Sequence, residues 1–185
     1  MNLPESDLFL TTFFHRENPP RLDREKRSGT LSLKEIRAFS EENKARFVGS
    51  RGQVALGLLM LWHDHWEEAH HIAQSDEGEP DHDLLHAIVH RREQDFANSS
   101  YWFREAGQNN SFKLIGSRAD KLLVESSNPS APQLRAEVLP DSHWSSQGFV
   151  TAIRADAREK ENPTTSLLRE LQAEEIISFF ETLIS

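Results

Sequence analysis

The chain has no cysteine in 185 residues, and only one tyrosine and two methionines. Without cysteine there are no disulfides and no thiolate metal sites, so any metal must be held by imidazole or carboxylate groups. Long apolar runs are also missing, so no membrane-spanning helix is expected. Strand signals are scarce, because no alternating apolar–polar segment stands between two turn signals. An excess of positive charge is missing as well. The formal net charge is −9 with neutral histidines, which disfavours nucleic acid as a partner. The one locally basic stretch, Arg16 to Arg27, is diluted by Glu17, Asp23 and Glu25. With Pro19 and Pro20 interrupting any helix, it reads as a solvated linker. The first twenty residues lack a basic start, and threonines break their apolar part. They do not read as a signal peptide, and the expected location is cytoplasmic.

What the sequence does have is helical periodicity. The expected fold class is all-α in a single helical domain, 1–185, long enough to bury a core without staples. It divides into an N-terminal helix and linker over 1–30, a repeat-like helical core over 31–107, and C-terminal helices over 108–185. A first helix is expected over 5–15. A second starts at Ser32, where Ser32 and Glu35 have the spacing of a capping box, and runs to a stop at Gly49. "RGQVALGLLMLWH" is apolar on most faces and reads as a buried helix. Further helices are expected from His65 to Gln74, Asp81 to Arg92, through "DFANSSYWFREA" to Gly107, from Phe112 to Glu125, and around 147–160 and 166–183. Asp64 and Asp81 read as helix N-caps. The stretch from Gln133 to Trp144 is ambiguous.

A shift of 30 residues lays the middle of the chain on itself. Leu58 meets Ile88, Asp64 meets Gln94, Trp66 meets Phe96, Ala69 meets Ser99 and Ala73 meets Phe103. Each copy reads as a helix, a turn, an aromatic residue and a second helix. That is the pattern of antiparallel helical hairpins, and it resembles the tetratricopeptide-type repeat, whose usual period is about 34. With two copies, the flanking helices must supply the caps.

Histidines crowd the same region. "HDLLHAIVHRRE" spaces His82, His86 and His90 four residues apart and places Glu93 one turn on. His86 and His90 share a helix face, and His70 on the neighbouring helix is the natural partner. His70, His86, His90 and Glu93 are therefore the candidate ligands of a divalent metal such as zinc. The His-Glu-x-x-His protease pattern is absent. A small helical-bundle hydrolase would need a third histidine from a distant helix, for which His143 and His15 are available. His63, His65, His71 and His82 read as surface residues. Trp62 and Trp66 read as packing between hairpins. Tyr101 and Trp102 are adjacent, so one of them is expected to be less buried and to offer a stacking wall. Arg91 or Arg104 would then hold a carboxylate or phosphate. No glycine-rich phosphate loop and no Ser–His–Asp pattern is found.

The span 52–183 resembles a group of uncharacterised bacterial and fungal proteins. The residues carrying this resemblance are Trp66, Ala69, His70, Ala73 and Gln74; His86, Ala87, His90, Arg91 and Glu93; Asn98, Tyr101 and Trp102. The later "SHWSSQGFV" and "LRELQAEEIISFF" fit the group's tail. A His-Pro pair expected soon after Trp102 is replaced near Asn110-Ser111. The resemblance implies a fold and the location of a site, and no activity.

Three functional readings follow from the residues. The first is a binding or scaffold module that takes a protein or small-molecule ligand in a groove near His70, His86, His90, Tyr101 and Trp102. The second is a metal-dependent, hydrolase-like enzyme using the histidines and Glu93. The third is a hydrogen-bonded seam of imidazoles between helices, with function elsewhere.

Overall fold

The computed structural model describes residues 12–159 and 161–185. Among them the chain is all-α, with no strand. The helix expected over 5–15 falls mostly outside the described residues. Helix α1 (Leu33–Glu42) starts as its capping box dictates: Glu35 N–H donates to Ser32 Oγ, and Ser32 N–H donates to the Glu35 carboxylate. It stops earlier than the sequence suggests. The Asn43 amide and its backbone N–H both donate to the Phe39 carbonyl, at 3.0 and 3.1 Å, and close the last turn. A 3₁₀ turn, Lys44–Arg46, follows. Gly49 is therefore not a stop. Its φ of +71° bends the chain into α2 (Gly49–Trp62).

Two helical hairpins come next, α2 with α3 (Trp66–Gln74) and α4 (Pro80–Arg92) with α5 (Phe96–Ala106). Their turns are built alike. Asp64 and Gln94 both sit at positive φ, 64° and 59°. In each turn the next N–H reaches back to the preceding helix: His65 to the Met60 carbonyl at 2.9 Å, and Asp95 to the His90 carbonyl at 3.0 Å. The 30-residue shift thus preserves backbone geometry as well as residue type. Small residues let the axes approach. Ala69 and Ser99 are fully buried, and Ser99 Oγ donates to the Ala87 carbonyl at 2.8 Å. At Gly57 a Cβ would lie 2.6 Å from Leu85 Cδ2, so glycine lets α2 pack tightly on α4.

The C-terminal part comprises α6 (Phe112–Glu125), α7 (Ala131–Val138), α8 (Ser146–Asp156) and the 22-residue α9 (Pro163–Ile184). The ambiguous region is α7 plus a 3₁₀ turn, Pro140–Ser142. Helix α9 buries residues around most of its circumference because it serves two cores. Leu167, Leu168 and Leu171 pack with Ile115, Phe149 and Ile153, whereas Ile176, Phe179 and Phe180 pack with the hairpins. Between them, the buried guanidinium of Arg91 meets Glu175 Oε1 at 2.9 Å and lies 4.5 Å from the Phe149 ring centre.

Arg16 to Arg27 is not a solvated linker. Gln172 Nε2 donates to the carbonyls of Pro20 and Arg21 at 3.1 and 3.0 Å, and Leu22 joins the core. Arg92, 1% exposed, donates to the carbonyls of Leu61, Arg21 and Asp23 and to Asp64 Oδ1 at 2.8 Å. The other Asp64 oxygen accepts from the backbone N–H and Nε of Arg27, both at 2.9 Å. A wholly buried guanidinium needs acceptors for its N–H groups, and this strap supplies two carbonyls beside that of Leu61 and the Asp64 carboxylate. Asp64 is accordingly no N-cap, because its left-handed backbone turns the carboxylate toward the two arginines. Nor is Asp81: Glu79 and Pro80 open α4, and Asp81 accepts from Asn109 Nδ2 at 2.7 Å.

Asp64→Asn keeps the shape and tolerates positive φ, but leaves two buried guanidinium groups without their anion. Denaturant unfolding should show a loss of about 3–5 kcal/mol. A loss below about 1 kcal/mol, the range of exposed pairs, would count against this role.

Candidate metal centre

Helix α4 is buried on every side between α2, α3 and α5, so the face it turns to α3 is covered whatever its polarity. That face carries His82, His86 and His90. His82 Nδ1–H donates to the Ile72 carbonyl near the end of α3, at 2.9 Å. The surface position expected for His82 is thus wrong. It is wrong for His63 too, which is 2% exposed and accepts from the Leu31 N–H at 3.2 Å. The strap that covers the Asp64 turn covers His63 with it.

His86 and His90 converge with His70 from α3. Each offers a ring nitrogen, and these nitrogens all lie within 4.8 Å of one another. Nε2 of His70 and Nε2 of His86 are 2.8 Å apart and share one proton. The rings are locked by stacking. His86 lies between His90 (centroids 4.7 Å, planes 24°) and Trp102 (4.2 Å, 25°). Tyr101 meets Trp102 edge-on at 5.1 Å and is 45% exposed, so it is the more exposed of the two.

Glu93 stands behind His90. A carboxylate only accepts, so the 2.8 Å contact from His90 Nδ1 to Glu93 Oε2 is donated by Nδ1–H. That fixes the tautomer and leaves the His90 Nε2 lone pair for a ligand. The other Glu93 oxygen accepts from Arg24, whose guanidinium lies 4.1 Å from the Trp66 ring centre. Glu93 was expected among the metal ligands. Instead both its oxygens are engaged, on the far side of His90 from Nε2.

Burial pushes His86 down to about 3, helped by the charges of His90 and His70, and also lowers His70, with His90 second. Burial, then Arg27, takes His63 down to about 4. His70 and His86 are therefore neutral near pH 7, the form that coordinates metal. Of the remaining candidates, Arg91 is fully buried against Glu175 and is closed to any ligand. Arg104 is exposed on the last turn of α5. His143 is exposed, bonded to the Asp141 carbonyl, and His15 pairs with Glu17; neither joins the cluster. Sequence reasoning missed Arg24, because no periodicity signals that a strap 69 positions away lands on Glu93.

No protein-family model, curated protein or solved structure matches the chain. The reading of this centre rests on its geometry.

The pH dependence has a definite sign. For His86 and His63 the folded value is depressed below the unfolded value of about 6.5, so the unfolded chain binds more protons between the two. Their contribution is complete above about pH 6.5 and is lost as pH falls toward the folded values. Metal-free protein should lose roughly 2–4 kcal/mol between pH 7 and pH 5, at about 1.4 kcal/mol per unit per group. Equal stability at both pH values, by denaturant unfolding, would contradict these assignments.

Proposed function

We propose that His70, His86 and His90 hold one divalent transition metal of the zinc type, with a coordination position left for water or substrate, and that the protein is a metal-dependent enzyme of the hydrolytic kind. The observation that carries this is the convergence of three ring nitrogens on two helices within 4.8 Å. Three imidazoles suit zinc, copper, iron or nickel, and a three-histidine set is one that catalytic zinc uses. Zinc–nitrogen bonds of about 2.0–2.1 Å put tetrahedral ligand atoms roughly 3.3 Å apart. His70 and His86 would part by about half an ångström, and the metal would replace the proton they share.

The protein's own groups support that chemistry. Glu93 accepts from His90 Nδ1–H, orienting the ring and raising its basicity as a ligand. Trp102 and His90 hold the His86 ring by stacking. Neutral ligands leave the metal its full charge, which lowers the pKa of bound water and supplies a nucleophile near neutral pH. His70 is the half-buried member of the triad, so access is from its side.

A second reading is favoured by Tyr101. Its exposed ring meets Trp102 edge-on and so carries the aromatic cluster to the surface. This would suit a metal-free groove that binds a planar ligand or a partner's aromatic side chain.

Metal analysis of untagged protein purified without chelator separates the two. The metal reading predicts close to one equivalent of zinc, iron, copper or nickel, lost in His86→Ala and His90→Ala. It also predicts that Glu93→Gln retains metal about 10–100-fold more weakly. Folded protein that takes up no metal from added zinc would reject it in favour of the groove.

A further inference from the structure

Away from the cluster of His70, His86 and His90 lies a cavity of about 710 Å³ between the loop before α6, the first turns of α6 and the segment Ser142–Trp144. Its size is that of a small-molecule site. Three observations give it a preferred charge. No residue lining it is acidic, in a chain with 30 Asp and Glu. Lys113, on its wall, forms no ion pair among the described residues. The α6 N-terminus, which makes up that wall, has no side-chain cap, and the N–H groups of Lys113 and Leu114 meet no acceptor among the described residues. An uncapped helix start beside an unpaired ammonium favours an anion.

A fourth, independent observation comes from the opposite wall. Trp144 lines the cavity and is 7% exposed, yet its indole Nε1–H is buried without an acceptor. Tryptophan N–H groups in such positions ordinarily find a partner. The rim that holds Trp144 is itself constrained. Asp141 and Ser142 are consecutive non-glycine residues at positive φ, 51° and 63°. The Asp141 carbonyl accepts from His143 Nδ1–H at 2.7 Å, leaving Nε2 of that ring available. Backbone held in such regions is frequent at ligand sites. Phe112 and Trp144 provide the apolar part of the wall.

We propose that this cavity is a second ligand site, independent of the histidine cluster, for a small organic anion. Its phosphate or carboxylate group sits at the α6 N-terminus and Lys113, and its apolar body lies against Phe112 and Trp144. The experiment is an indole N–H titration of full-length protein by two-dimensional NMR. The chain has four tryptophans, and the cross-peak missing from Trp144→Phe identifies the reporter. Phenyl phosphate and benzoate are the probes, with phenol as the uncharged control. The site predicts a saturable shift of the Trp144 signal by at least one anion, little or none by phenol, and about tenfold weaker binding in Lys113→Met. Whichever anion binds more tightly names the head group. Trp144 unmoved by both anions, moved equally by phenol, or titrated identically in Lys113→Met would overturn the proposal. Lys113 is exposed, so its replacement leaves the fold intact.

Discussion

The Asp64 carboxylate is the contact on which the rest of the architecture depends. It sits in a left-handed turn, 1% exposed, with a guanidinium on each oxygen. Burying three charges costs several kcal/mol per ion, recovered only when every donor finds an acceptor. Here the acceptors come from three places: the end of α2, the N-terminal strap and Asp64 itself. Arg92 thus binds the two hairpins to the strap. The strap then delivers Arg24 to Glu93, and Glu93 orients His90. The orientation of one histidine is therefore tied, through two ion pairs, to a turn on another helix.

The histidine cluster shows the opposite economy. It is a buried polar group with little counter-charge near its centre. Burial keeps His70 and His86 neutral, and the neutral His86 ring stacks on His90 and Trp102. The same state that packs is the state that ligates. Stacking and the bond to Glu93 hold the rings in the orientation that the proposed metal would need. Helices, rather than loops, hold all three rings, and groups placed on helices are positioned tightly.

Much of the fold was legible because local signals and tertiary packing agree. The capping box at Ser32 and Glu35, the Gly107 stop and the α6 limits come directly from local chemistry. The 30-residue shift exposed the hairpins because equivalent turns need equivalent residue types. Of the candidate site, His86 and His90 were legible from helical spacing, since i to i+4 neighbours share a face, whereas His70 was reached as their partner on the neighbouring helix and Trp102 through its adjacency to Tyr101. What was not legible was set by distant chain. Glu93 looked like a ligand until Arg24 and His90 occupied its oxygens. Arg91 looked available until Glu175, 84 positions away, enclosed it. His63 and His82 looked exposed because polarity was taken as a guide to burial. Asp64 looked like an N-cap because nothing local reveals the two arginines that claim it. Long-range charge pairing leaves no period in a sequence.

The central claim is that three imidazoles from α3 and α4 are one metal site. Its most direct test is anomalous diffraction at the zinc edge from crystals grown with zinc. The account predicts a single strong peak bonded to Nε2 of His70, His86 and His90 at about 2.0–2.1 Å, with Glu93 still on His90 Nδ1. A cluster without anomalous density, with His70 and His86 still hydrogen-bonded to each other, would contradict it and leave the histidines as a structural seam.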